Sequence, residues 1–222
     1  MKMRRWISTI LALLLASSLP LTAFAETYDL EKGSISVTSN AEGQYVSQEA
    51  NDIKNHLETT TTVITQTITE PETSTANTIT ITAEGNATAN VTLDGVNIQA
   101  DGAAITTDGV GNVNLELDGT NTVQSGEGHA GVEKDNSGFL NITDKTGEAG
   151  SLTATGGAGG AGIGGGAGGS GTNLDIKGGT VDATGGDPIR IPNDDGTVAE
   201  EKPGGGAGIG GGANGTGSNI LR

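Results

Sequence analysis

Val91-Thr92-Leu93-Asp94-Gly95-Val96-Asn97-Ile98 is followed 24 residues later by Leu115-Glu116-Leu117-Asp118-Gly119-Thr120-Asn121-Thr122, with Leu93 and Leu117, Asp94 and Asp118, and Asn97 and Asn121 at matching places. Two alternating apolar and polar segments, each closed by Asp-Gly, read as strands that leave through tight turns and come back in the same sense. Ile81 and Ile105 keep the same offset of 24. Further on, Leu152-Thr153-Ala154-Thr155-Gly156-Gly157 returns as Val181-Asp182-Ala183-Thr184-Gly185-Gly186 after 29 residues. The block Ala161-Gly162-Ile163-Gly164-Gly165-Gly166 recurs unchanged at 207–212, an offset of 46 that exceeds 29 by 17. The excess falls in a polar stretch bearing Pro188, Pro192 and Pro203, so residues 187–203 are expected to be a loop that leaves the repeat and re-enters in register.

Each repeat holds three apolar clusters with the period of a strand. One column is expected to contain Leu93, Leu117, Ile142 and Ile176, a second Val96, Thr120, Leu152 and Val181, and a third Ile81, Ile105, Val132, Ile163 and Ile209. Three strands per coil, stacked in parallel about 4.8 Å apart, predict an all-β chain folded as a parallel β-helix, because one coil alone cannot bury its apolar side. Gly156-Gly157, Gly164-Gly165-Gly166, Gly178-Gly179 and Gly185-Gly186 are expected at corners that need positive φ. A collagen helix is excluded, since Gly does not recur strictly every third residue.

Residues 26–75 are read as an irregular N-terminal cap plus an imperfect first coil. Ile35-Ser36-Val37 looks like a strand, the spacing of Ala50, Ile53 and Leu57 predicts a short helix over 47–57, and Val63, Ile64 and Ile68 mark strands in the Thr-rich run. Lys2, Arg4 and Arg5, the apolar run from Ile10 to Leu15 and the small residues around Ala23 and Ala25 form a signal peptide over 1–25, with the mature chain expected to start at Glu26. Residues 76–222 hold the Gly-rich repeats. Gly217-Ser218-Asn219-Ile220 aligns with Gly171-Thr172-Asn173-Leu174, so the chain is expected to stop inside the first strand of a further coil, as a truncated product would.

Without residues 1–25 the chain keeps 8 Lys and Arg against 27 Asp and Glu, a net charge of −19. Affinity for phosphate comes from Lys and Arg, so a nucleic-acid partner is excluded as a reading, and no membrane span is expected in the mature chain. Zero cysteines rule out disulfide and thiolate metal staples. Only Tyr28, Tyr45 and Phe139 remain as aromatics, which fits a thin, elongated core.

From 91–98, with Gly102-Ala103-Ala104-Ile105 and Leu117-Asp118-Gly119-Thr120-Asn121-Thr122-Val123 after it, the sequence resembles the right-handed parallel β-helix carbohydrate-binding domains of extracellular and surface proteins from anaerobic Gram-positive bacteria. The Gly-Ala-Gly-Ile-Gly-Gly-Gly blocks are similar to those of large surface proteins of gut bacteria. The resemblance implies a right-handed coil, a secreted or cell-surface location, and a polysaccharide or cell-wall glycan as partner. In that family binding of acidic plant polysaccharide and calcium goes with such coils. No ligand-contacting residue can be matched to this sequence.

Asp94 and Asp118 are expected one above the other at a corner, where they read either as Asp-Gly turn formers facing water or as a shared calcium site. No base or carboxylate pair converges as a lyase or hydrolase requires: Arg190 sits in the inserted loop, and Asp175 and Asp182 in small outward turns, so the chain is read as no enzyme. His56 and His129 have no second histidine at ligand spacing and read as surface residues. Asn97, Asn114, Asn121 and Asn141 are expected on outward faces that could hydrogen-bond a sugar. A carbohydrate-binding protein is the expected function, with a structural spacer or adhesin stalk as the alternative.

Overall fold

The computed structural model describes residues 25–67, 73–144, 149–189 and 204–221. The expected signal peptide and most of the expected inserted loop, including Arg190, lie outside the described residues. Among the described residues the fold is all-β, with three sheets and no closed barrel. From Thr88 onward the chain visits the three sheets in a fixed rotation. Thr88–Asp94 joins the seven-stranded sheet, Asn97–Gln99 the four-stranded sheet and Ile105–Gly109 the eight-stranded sheet, after which Asn112–Asp118 returns beside Thr88–Asp94. The circuit is completed three more times and then begun again, through Thr120–Gln124, Val132–Lys134, Leu140–Thr143, Ser151–Thr155, Ile163–Gly164, Gly171–Ile176, Thr180–Thr184, Ile209–Gly210 and Gly217–Leu221. Each return pairs in parallel with the strand one circuit earlier. Among the described residues no helix is long and apolar enough to cross a membrane.

Three rows of the seven-stranded sheet point inward. They are Ala89, Val113, Leu140 and Leu174; Thr62, Val91, Leu115, Ile142 and Ile176; and Tyr28, Ile64, Leu93 and Leu117. The expected column of Leu93, Leu117, Ile142 and Ile176 therefore merges two rows, because Ile142 stands beside Leu115 rather than Leu117. In the eight-stranded sheet the row is Ile35, Ile79, Ile105, Val132, Ile163 and Ile209, so Ile79 holds the place assigned to Ile81, which pairs with Thr107. In the four-stranded sheet Leu152 stands beside Asn121 and not Thr120, which is exposed. These corrections arise because the offset differs from one pairing to the next: it is 24 from Thr88 to Asp94, 25 between Asn97 and Thr122 through one extra residue after Gly119, 26 between Ile79 and Ile105, and 27 between Leu115 and Ile142. Corners absorb such insertions without disturbing the strands on either side.

Ile79, Ile105, Leu93, Leu115, Leu117 and Ile142 are each fully shielded from solvent, and each such side chain contributes about 1.5–3 kcal/mol. The glycines serve the stacking differently from expectation. Gly164 and Gly179 have positive φ, but Gly157 and Gly186 do not. A Cβ on Gly157 would lie 1.8 Å from the carbonyl oxygen of Gly126 in the preceding circuit, and one on Gly186 would lie 1.8 Å from that of Gly157. There the requirement is close approach of backbones one layer apart.

At the N-terminal end the segment expected as a helix over 47–57 is strand Gly43–Gln48, a single 3-10 turn Glu49–Asn51 and strand Ile53–Glu58. With Ile35–Asn40 they form an antiparallel meander at the edge of the eight-stranded sheet. Helical spacing gave way to strand pairing because Val46 is buried in the core while Leu57 faces out. Buried glutamines close this end. The Gln44 side chain accepts from the backbone N–H of Asn90 (2.8 Å) and donates to its carbonyl (2.9 Å), standing in for a neighbouring strand. Gln48 donates to the carbonyls of Asp29 and Gly33, and Gln66 accepts from the backbone of Asn97.

Candidate functional site

Alternation in the seven-stranded sheet turns Asn90, Asn114 and Asn141 outward in one row, since Asn114 pairs with Asn90 on one side and Asn141 on the other. Asn114 Nδ2 donates to Asn90 Oδ1 (2.9 Å) and Asn141 Nδ2 donates to Asn114 Oδ1 (2.9 Å). A side-chain amide has two donor hydrogens and two acceptor lone pairs. The ladder uses one of each at Asn114, which leaves one N–H and one lone pair to face solvent. Lys177 extends the row by donating from Nζ to Asn141 Oδ1 (2.8 Å), and it pairs with Asp175, the register neighbour of Asn141, at 3.0 Å.

Flanking rows complete the surface. On one side lie Thr88 and Asn112, and the alternation that buries Leu140 turns Phe139 outward beside them, with the Phe139 N–H donating to Asn112 Oδ1 (2.9 Å). Phe139 is 38% exposed. On the other side Thr92, Glu116 and Thr143 stand in register, and the Thr143 hydroxyl donates to the Glu116 carboxylate. Amides, a hydroxyl, carboxylates, one ammonium and one aromatic ring thus share a face whose strands are about 4.8 Å apart.

The structure brings together only part of what the sequence assigned to the outward faces. Asn114 and Asn141 lie side by side, whereas Asn97 is in another sheet beside Thr122. Asn121 is fully buried, with Nδ2 on the carbonyls of Asp118 (2.9 Å) and Ser151 (3.1 Å) and Oδ1 accepting from the N–H of Val96 (3.1 Å). Asn90, absent from the sequence reading, was marked by the same 24-residue offset from Asn114. Phe139 shares no repeat position with another aromatic, yet it needs only the amide row as a neighbour. Asp94 and Asp118 are register neighbours, with Thr65 next to Asp94 on its other side.

A second group of titratable residues follows Val132. Because Val132 points inward, so does Lys134, which is 3% exposed and donates from Nζ to the carbonyl of Asn136 (2.5 Å). Burial lowers its pKa to about 8. Glu133 accepts from the N–H of Ala130 (2.9 Å) and sits 3.1 Å from His129 Nδ1. Burial raises the Asp135 carboxyl above its ordinary range, and the charges of Glu133 and Asp108 add to the effect. Period-two alternation from Val132 was the signal for the buried lysine.

No family model, no curated protein and no solved structure matches this chain.

Proposed function

We propose that the protein is an exported, non-catalytic carbohydrate-binding module built as a right-handed parallel β-helix, in keeping with the family its sequence resembles, and that it binds glycan along the outer face of its seven-stranded sheet. The observation that carries this reading is the amide ladder Asn90, Asn114 and Asn141 with the exposed Phe139 ring beside it. Sugars present hydroxyls that both donate and accept, together with an apolar ring face. The free N–H and lone pair of the ladder suit the former and the phenyl ring the latter. The fixed rotation of parallel-paired strands among three sheets from Thr88 onward supports the helical reading of the fold.

Charge narrows the partner. The formal net charge of −16 repels a polyanion, so binding to an acidic polysaccharide requires a bridging divalent cation, whereas a neutral glycan requires none. Asp94 and Asp118 are the carboxylates we assign to calcium in that case. A glycan array probed with and without calcium, followed by calorimetry on the best hit, tests the reading. Phe139→Ala and Asn114→Ala should each weaken binding by at least about ten-fold while leaving the melting temperature unchanged, each removing about 1.4 kcal/mol or more of contact. A calcium-dependent signal should disappear in Asp94→Asn/Asp118→Asn. A structural spacer gives no saturable signal in either condition, and that result would overturn the proposal.

A further inference from the structure

At the N-terminal end of the sheets, Glu26, His56 and Glu58 bring one ligand atom each to within 4.8 Å of one another. His56 and Glu58 are two apart on strand Ile53–Glu58 and so project to the same side, while Glu26 immediately precedes strand Thr27–Asp29 of the other sheet. His56 Nε2 lies 3.0 Å from Glu26 Oε2. Tyr28 reaches into the same group, its hydroxyl donating to the Glu58 carboxylate and, at 3.3 Å, to Glu26 Oε2. Burial raises the Tyr28 phenol pKa, and the nearby charges of Glu58 and Glu26 raise it further, so it remains a neutral donor.

The electrostatics of this group are incomplete. Glu58 is 6% exposed, and its recorded partner is the neutral hydroxyl of Tyr28. A carboxylate held out of water needs a positive charge nearby to offset the loss of hydration. Among the described residues the one basic side chain paired with either glutamate is His56, which is itself about half exposed. A divalent ion at the centre satisfies both carboxylates and takes an imidazole nitrogen as a further ligand.

We propose that Glu26, His56 and Glu58 form a zinc site, with Tyr28 orienting Glu58 from behind. One imidazole nitrogen and two carboxylate oxygens are a borderline donor set that favours zinc over calcium, which takes six to eight oxygens. Ligand atoms of a tetrahedral zinc centre stand about 3.3 Å apart, so the side chains close in by rotamer adjustment at an edge strand that is free to give. Three protein ligands leave one position for water or an external donor.

The test is a titration of the purified full-length chain with zinc against a chromophoric chelator, together with thermal melts. The native chain should take up one equivalent and melt higher with zinc present. His56→Ala and Glu58→Gln should each weaken zinc binding at least ten-fold, and Tyr28→Phe about ten-fold or more through loss of ligand orientation. His129→Ala, which removes the other histidine, should leave it unchanged. Because His56 is half exposed, the metal-free melt of His56→Ala should equal that of the native chain, which separates loss of the site from loss of the fold. Absence of uptake at about 100 µM free zinc, or uptake that persists unaltered in His56→Ala, would overturn the proposal.

Discussion

Asn121 concentrates the energetics of a single position in this fold. It occupies an inward place between the apolar side chains of neighbouring circuits, and it holds the N–H of Val96 through Oδ1. Asn121→Leu matches its volume and its neighbour Leu152, and hydrophobicity alone says the change should stabilise. The orphaned Val96 N–H decides otherwise, since a buried donor without a partner costs about 1–3 kcal/mol. Urea unfolding should show a loss of that size, and a gain would mean that Val96 finds another acceptor. The sequence identified the repeat containing this residue but placed Thr120 inward, because a uniform offset cannot register one added residue at a corner. Lys134 was missed for a different reason: charge argues outward, while the alternation from Val132 turns it in. The two rules conflict there, and geometry prevails over solvation.

Strands were easier to read than single positions. The Asp-Gly endings, the alternation and the returning Ile, Val and Leu locate most strands from Thr88 onward, and Ile163 and Ile209 pair in the anticipated register. The N-terminal meander was not visible, because its short strands interleave polar and apolar residues at a spacing that a helix also satisfies. The purpose of the glycines also escaped the sequence, since close approach involves a partner from another circuit. That purpose separates two substitutions that look alike on paper. Gly157→Ala sets a methyl group against a backbone carbonyl that cannot move alone, and should cost about 3 kcal/mol or more. Gly102→Ala meets nothing within 4 Å and has no left-handed φ to satisfy, so it should be neutral or stabilise by about 0.4–1 kcal/mol. Parallel thermal melts of the two variants give the comparison, and equal losses would contradict the stacking argument.

The molecule as a whole is a succession of layers in which each circuit contacts the one before and the one after. Gly206 N–H donates to the carbonyl of Gly186 (3.0 Å), and Gly205 lies against Asp187 and Pro188, so the chain re-enters beside the point from which it departed. Deleting residues 189–204 to join Pro188 to Gly205 should therefore leave the unfolding midpoint within about 1 kcal/mol of the native value, because closing or opening a surface loop changes chain entropy slowly with length. Collapse of the β-type far-UV spectrum in that variant would show that the segment belongs to the core. The candidate face was legible only as a surplus of asparagines: their alignment required knowing which offset governs which sheet. The triad Glu26, His56 and Glu58 was illegible in the sequence, as its members come from two sheets and meet only at the end of the stack.

The direction of the backbone hydrogen bonds has a mechanical consequence. They run along the stacking axis, and the seven-stranded sheet begins at Thr27–Asp29 and ends at Gly217–Leu221, so a pull applied between the two ends of the chain loads the layers in series. Every layer bears the same tension, and an outermost layer, paired on one side only, peels first, releasing about 80–100 Å of contour for each 24 to 29 residues freed. Such a chain should lengthen in steps, one layer at a time, when stretched from its two ends.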